Sequence, residues 1–143
     1  MLGAIGEVEF THLLDSLQHA AEDTEDPIAI IKSQSHAYVQ YAVAHPAFFE
    51  ILFEFRPAWA TDTDTDDLPI VAKTFEVAST PIAAAIAQGQ LREVDPLIGA
   101  LTIWAAVHGI ATLLVRGSLL SQSDEDTLVN SVIDTILAGL APE

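Results

Sequence analysis

The sequence predicts an all-α fold of six helices. Two observations carry that reading. Apolar residues recur at steps of three and four along most of the chain, whereas strand-type alternation is absent over any useful length. The pairs Asp26-Pro27 and Asp95-Pro96 also place a capping acid before a proline at a first helical position.

The first helix is expected from Leu2 to about Glu22, with Phe10, Leu13, Leu14 and Leu17 at helical spacing and the acidic run Glu22-Asp23-Thr24-Glu25 at its end. Asp26-Pro27 opens the second helix. Its core face reads Ile28, Ile31, Ser35, Tyr38 and Ala42, flanked by Ile30 and Tyr41. His45-Pro46 ends it, because a residue before proline avoids the α region. A short aromatic third helix follows over 47–55, carrying Phe48, Phe49, Phe53 and Phe55, and Arg56-Pro57 stops it. The polar run Thr61 to Asp67 reads as a loop. Leu68-Pro69 opens a fourth helix to about Gln88, with Val71, Phe75, Ala78, Ile82 and Ala85 as its stripe. Pro81 inside it predicts a kink or break near Thr80, and Gly89 is placed to cap its C-terminus. The fifth helix runs from Pro96 to about Arg116, closed by Gly117. Ser123 and Asp126 read as a capping-box variant opening the sixth, whose wide stripe is Leu128, Val129, Val132, Ile133, Ile136, Leu137 and Leu140.

At 143 residues, half of them hydrophobic and 18% charged, the chain suffices for one domain with a real core. Five basic against 21 acidic residues give a net charge of −16. Such a chain repels phosphate, so it is expected to bind neither nucleic acid nor an anionic membrane surface. With no cysteine, disulfides, thiolate catalysis and Cys-ligated metals are excluded. Residues 1–10 hold Glu7 and Glu9 and no basic residue, unlike a secretory leader. Leu97 to Val115 runs 19 residues without a charge, near membrane-spanning length. His108 at its centre and the amphipathic segments beside it favour a buried helix of a soluble, cytoplasmic protein.

A helix apolar all round must be covered on more than one side. A chain this short cannot easily cover both sides of the fifth helix and the full stripe of the sixth. A second copy is the simplest cover: two helices from each chain, packed about a two-fold axis, make a four-helix interface. The expected contact residues are Leu101, Ala105, Gly109, Leu128, Val129, Val132, Ile133, Ile136, Leu137 and Leu140, with Ala105, Ala106, Gly109 and Ala111 permitting close helix approach.

Three stretches resemble the C-terminal ligand-binding and dimerisation domain of TetR-family transcriptional regulators. They are Ala37 to Phe53, with its helix end at His45-Pro46 before an aromatic helix; Gly89 to Pro96, the turn into the dimer helix; and Trp104 to Leu113, with the Trp…His-Gly pattern of one subgroup. The resemblance covers nearly the whole chain, and residues 1–143 are expected to form a single ligand-binding and dimerisation domain. It does not extend to the family's N-terminal helix-turn-helix domain, to which the first helix would connect. It implies a repressor whose small-molecule ligand changes the spacing of two DNA-reading heads. DNA contact would fall to that other domain.

In a bundle of this type the ligand cavity lies between helices two to five. The residues expected to line it are Tyr38, Tyr41, Phe49, Phe53, Phe75, Trp104 and His108, with Ser35 and Thr112 as polar fixers. They imply a small hydrophobic or aromatic ligand and no cofactor. Taken singly each of these residues reads first as core filling, and His108 as bonding a carbonyl or a partner subunit; the cluster as a whole points to a cavity. A helical dimerisation module without ligand, or a small hydrophobic-ligand carrier, therefore remains an alternative.

Other constellations are weaker. Asp62, Asp64 and Asp66 begin like a calcium loop, but Asp67 and Lys73 stand where glycine and glutamate are needed. His12, Asp15 and His19 share a helix face that suits solvent as well as a metal, and no metal site is assigned. No nucleophile elbow, phosphate-cradling loop or His-Glu-x-x-His motif is present, so the chain is not expected to be an enzyme.

Overall fold

The computed structural model describes residues 2–47, 49, 69–117 and 124–143. The described residues form five helices and no strand: α1 (Leu2–Ala20), α2 (Pro27–Ala44), α3 (Pro69–Ala87), α4 (Pro96–Val115) and α5 (Glu125–Gly139). Residues 46, 47 and 49 are also helical, at the start of the predicted aromatic helix. The rest of that helix, Phe53 included, and the acidic loop lie outside the described residues.

Helix α2 is the hub, because it packs against each of the other four. α1 also rests on α3, and α4 lies against α3 and α5. The core draws Leu13 and Leu17 from α1, Ile31, Val39 and Ala42 from α2, Ile82 and Ala85 from α3, and Ile103, Val107 and Ala111 from α4. Val129 and Ile133 of α5 complete it. Gly99 lets α4 approach α3 closely, since a Cβ there would stand 3.1 Å from Ile82 Cγ2.

The helix ends separate the two Asp-Pro starts. Asp95 caps α4 by accepting from the Leu97 N–H at 2.9 Å, with Pro96 in the first turn. Asp26 occupies the same position before α2 but does not cap it; its carboxylate instead accepts from Gln90 Nε2 at 3.0 Å. Ser123, expected to open α5, lies outside the described residues; Asp124 stands before the helix and makes no side-chain capping bond. Asp126 turns away to His36, 3.4 Å from its Nδ1. At the end of α3, Gln90 N–H reaches the Ala85 carbonyl and Gly89 N–H that of Ile86. This Schellman closure needs the left-handed φ of +75° at Gly89.

Pro81 does not break α3, which runs continuously from residue 69 to 87. The hydroxyls of Ser79 and Thr80 both return to the Glu76 carbonyl, at 3.2 and 2.7 Å, in the turn that the proline ring crowds.

Candidate functional site

Five aromatic side chains from α2, α3, α4 and residue 49 converge on one place. Tyr38 projects from the buried face of α2, and Trp104 and His108, one turn apart, from one flank of α4. The Tyr38 hydroxyl lies 2.9 Å from His108 Nδ1. Phe49 stacks on the imidazole at 4.6 Å between ring centres, and Trp104 at 5.1 Å. Phe75 of α3 meets the Trp104 indole edge-on at 6.0 Å.

The Tyr38 hydroxyl and His108 Nδ1 share one hydrogen, donated by the phenol or by the ring according to the imidazole tautomer. Burial keeps both groups uncharged at neutral pH. It lowers the His108 pKa to about 4, and it raises that of the Tyr38 phenol, an effect that a hydrogen bond with Trp104 only partly offsets. The arrangement is an aromatic wall with one internal polar seam, suited to flat apolar surface rather than to proton transfer.

A second group lies nearer α1. The Tyr41 hydroxyl donates to the Glu9 carbonyl at 3.1 Å and contacts the Glu9 carboxylate. The Tyr41 ring stacks on His45 at 4.2 Å. Burial, the Glu9 bond and the Glu9 charge all raise the Tyr41 pKa. The described contacts of Tyr41 thus tie α2 to α1.

Comparison with known proteins decides the family. A family model described as tetracyclin repressor-like, C-terminal domain, matches residues 31–136. The chain belongs to that family. Among solved structures, a protein of unknown function from a Rhodococcus species is 26% identical with a TM-score of 0.85, covering 99% of this chain and 72% of that one. The TetR family transcriptional regulator PfmR from Thermus thermophilus is 16% identical with a TM-score of 0.73, covering 99% and 73%. The second likeness is one of fold. No curated protein matches.

Within this TetR-type domain the expected ligand residues divide. Tyr38, Phe49, Phe75, Trp104 and His108 meet; Tyr41 faces Glu9; Phe53 lies outside the described residues. The two expected polar fixers spend their hydrogens on their own helices: Ser35 Oγ donates to the Ile31 carbonyl at 2.8 Å and Thr112 Oγ1 to that of His108 at 2.9 Å. In these positions they can offer a ligand only an acceptor oxygen. Glu9 and His45 were not anticipated as partners of Tyr41. The Glu9 contact spans 32 residues of sequence and left no local signal; His45 at i+4 from Tyr41 could have been found by helical spacing alone.

The expected dimer residues also divide. Leu101 is 36% exposed, and Ala105 and Gly109 are open to solvent. Val129, Ile133 and Leu140, at 0, 1 and 8%, are packed inside their own chain and cannot meet a partner. The stripe of α5 is wide because its centre fills the chain's own core against α2 and α4. Its flanks, Leu128, Val132, Ile136 and Leu137, remain half-buried. α4 is long and apolar enough to cross a membrane by length and composition, and 33% of its most apolar stretch is buried against the rest of the chain. It is covered on one side among the described residues. Among the described residues no cluster of three metal-ligating side chains occurs, so His12, Asp15 and His19 do not form one.

Proposed function

We propose that this chain is the effector-sensing and homodimerising domain of a cytoplasmic TetR-like repressor, and that it is not an enzyme. Residues 1–143 act as one regulatory domain, and DNA contact belongs to a separate helix-turn-helix domain of such a regulator. One observation carries the sensing role. Five aromatic side chains from separate parts of the chain meet around a neutral Tyr38–His108 pair, the wall a small hydrophobic or aromatic ligand requires. Phe53, outside the described residues, is kept among the expected ligand residues on the sequence alone. Tyr41 supports it from the α1 side, and Ser35 and Thr112 offer acceptor oxygens.

Dimerisation is supported by α4. Its uncovered face carries Leu97, Ile98, Leu101 and Leu113, each at least 36% exposed, and no charge, in a chain of net −16. Two copies can meet there without opposing like charges. Gly109 fits this contact: a Cβ there meets nothing within 4 Å among the described residues, which leaves room for close approach by another helix. The half-buried flank of α5, Leu128, Val132, Ile136 and Leu137, extends the same contact, giving the four-helix interface.

The test is binding of the neutral fluorophore N-phenyl-1-naphthylamine to the intact protein, against Trp104→Ala. Saturable binding lost in the folded variant supports the site. Equal binding by that variant refutes it, and no binding by either leaves a bare dimerisation module.

A further inference from the structure

Trp104 belongs to two surfaces at once. It stacks on His108 and meets Phe75, which places it in the aromatic cluster. It is also 36% exposed, as open as Leu101 in the apolar row Leu97, Leu101, Trp104 and His108. These positions step by four, three and four along α4, so they form one strip. Leu101 lies one turn from both Trp104 and Ala105, and so joins the cluster to the open face on which Gly109 also lies. An indole left this open gives a ligand wall that water can reach from one side, and apolar ligands gain from a site only as far as water is excluded.

We propose that a second copy of this chain, docked on the open face of α4, covers Trp104 and closes the aromatic site, so that the site is complete only in the dimer. This rests on the sensing and dimerising role proposed above. The second copy is the occupant the surface favours. The strip is uncharged although the chain carries −16, and Gly109 leaves room that no described residue fills. Ligand and partner then stabilise one another through Trp104, because coupling between two binding events is reciprocal. A ligand tightens the dimer by the same factor by which the dimer tightens the ligand.

The experiment uses the full chain with Trp59→Phe, which leaves Trp104 as the sole tryptophan of the two in the sequence. Acrylamide quenching of Trp104 and N-phenyl-1-naphthylamine affinity are measured on this protein and on its Ala105→Asp derivative. Sedimentation velocity and circular dichroism report assembly and folding. The expected result is a folded monomer for Ala105→Asp, with Trp104 quenched at least about threefold more readily and the probe bound about tenfold or more weakly, a coupling of ordinary size. Dilution of the Ala105 protein through its own dissociation range should produce the same rise in quenching, which keeps the test decisive if Ala105→Asp fails to fold. Equal quenching and equal affinity in monomer and dimer would overturn the inference while leaving sensing and dimerisation standing. A dimer that survives Ala105→Asp would instead place the contact elsewhere and remove both the inference and the interface. Probe binding by neither form would remove the sensing role, and the inference with it. Flotation of the monomer with neutral phosphatidylcholine vesicles would assign the strip to lipid rather than to a second copy.

Discussion

Replacing His108 with glutamine should change how the protein responds to acid. Burial lowers the His108 pKa from the ordinary 6.5 to about 4. Between those values the unfolded chain takes up a proton that the folded chain does not. Stability therefore falls as the pH falls through that window, and is fully retained above it. Two-state linkage between these values gives a loss of about 2 kcal/mol on going from about pH 7 to pH 5. The imidazole is half-buried, and solvent screening brings the expected loss nearer ~1 kcal/mol. Glutamine cannot titrate, so His108→Gln should lack this component while the chain's 21 acidic residues contribute to both proteins alike. Urea unfolding of the two proteins, at matched concentration because assembly adds to stability, gives the difference directly. The wild type should lose about 1 kcal/mol more than His108→Gln over that range. Parallel pH dependences would mean that His108 is solvated, and the closed seam with Tyr38 and Trp104 would be wrong.

Three further outcomes follow from the packing. Ile133→Asp, at a side chain only 1% exposed, should unfold the chain rather than split a dimer, costing roughly 3 kcal/mol or more for a buried unpaired charge; a folded monomer by circular dichroism and sedimentation would place Ile133 on the surface. Asp95→Ala should cost about 1 kcal/mol through loss of the cap on Leu97 N–H, and Asp26→Ala clearly less in the same urea assay, since Asp26 makes no such bond; equal losses would contradict the difference between the two helix starts. Tyr41→Phe should destabilise by about 1 kcal/mol by releasing Glu9, and unchanged unfolding would show that the α1–α2 tie contributes nothing.

What the sequence made legible was local. The ends of α2, α3 and α4 follow from Asp-Pro, Pro and Gly signals that act within a few residues, and each falls within two residues of its expected place. The limits of the same reasoning are also local. Asp26 and Asp95 have identical contexts on paper, but Gln90, 64 residues away, takes the Asp26 carboxylate. Pro81 predicts a break in isolation; packing of Ile82 and Ala85 in the core holds α3 together across it. In the candidate site, spacing alone put Trp104 and His108 on one face of α4. Bringing Tyr38 to His108 required closure of a 70-residue separation, which no periodicity encodes.

Helix α4 shows what composition leaves open about cover. Uniform apolarity implies cover on more than one side without saying which side the chain itself supplies: Gly99, Ala100, Ile103, Val107, Ile110 and Ala111 are buried, and Leu97, Ile98, Leu101 and Leu113 are not. The same residue types serve both environments, so hydropathy does not separate them. Gly99 has Ile82 against it, whereas Gly109 meets nothing within 4 Å among the described residues. A close neighbour within the chain accounts for the first; the second lies on the open face that ends at Trp104, where the proposed second copy docks.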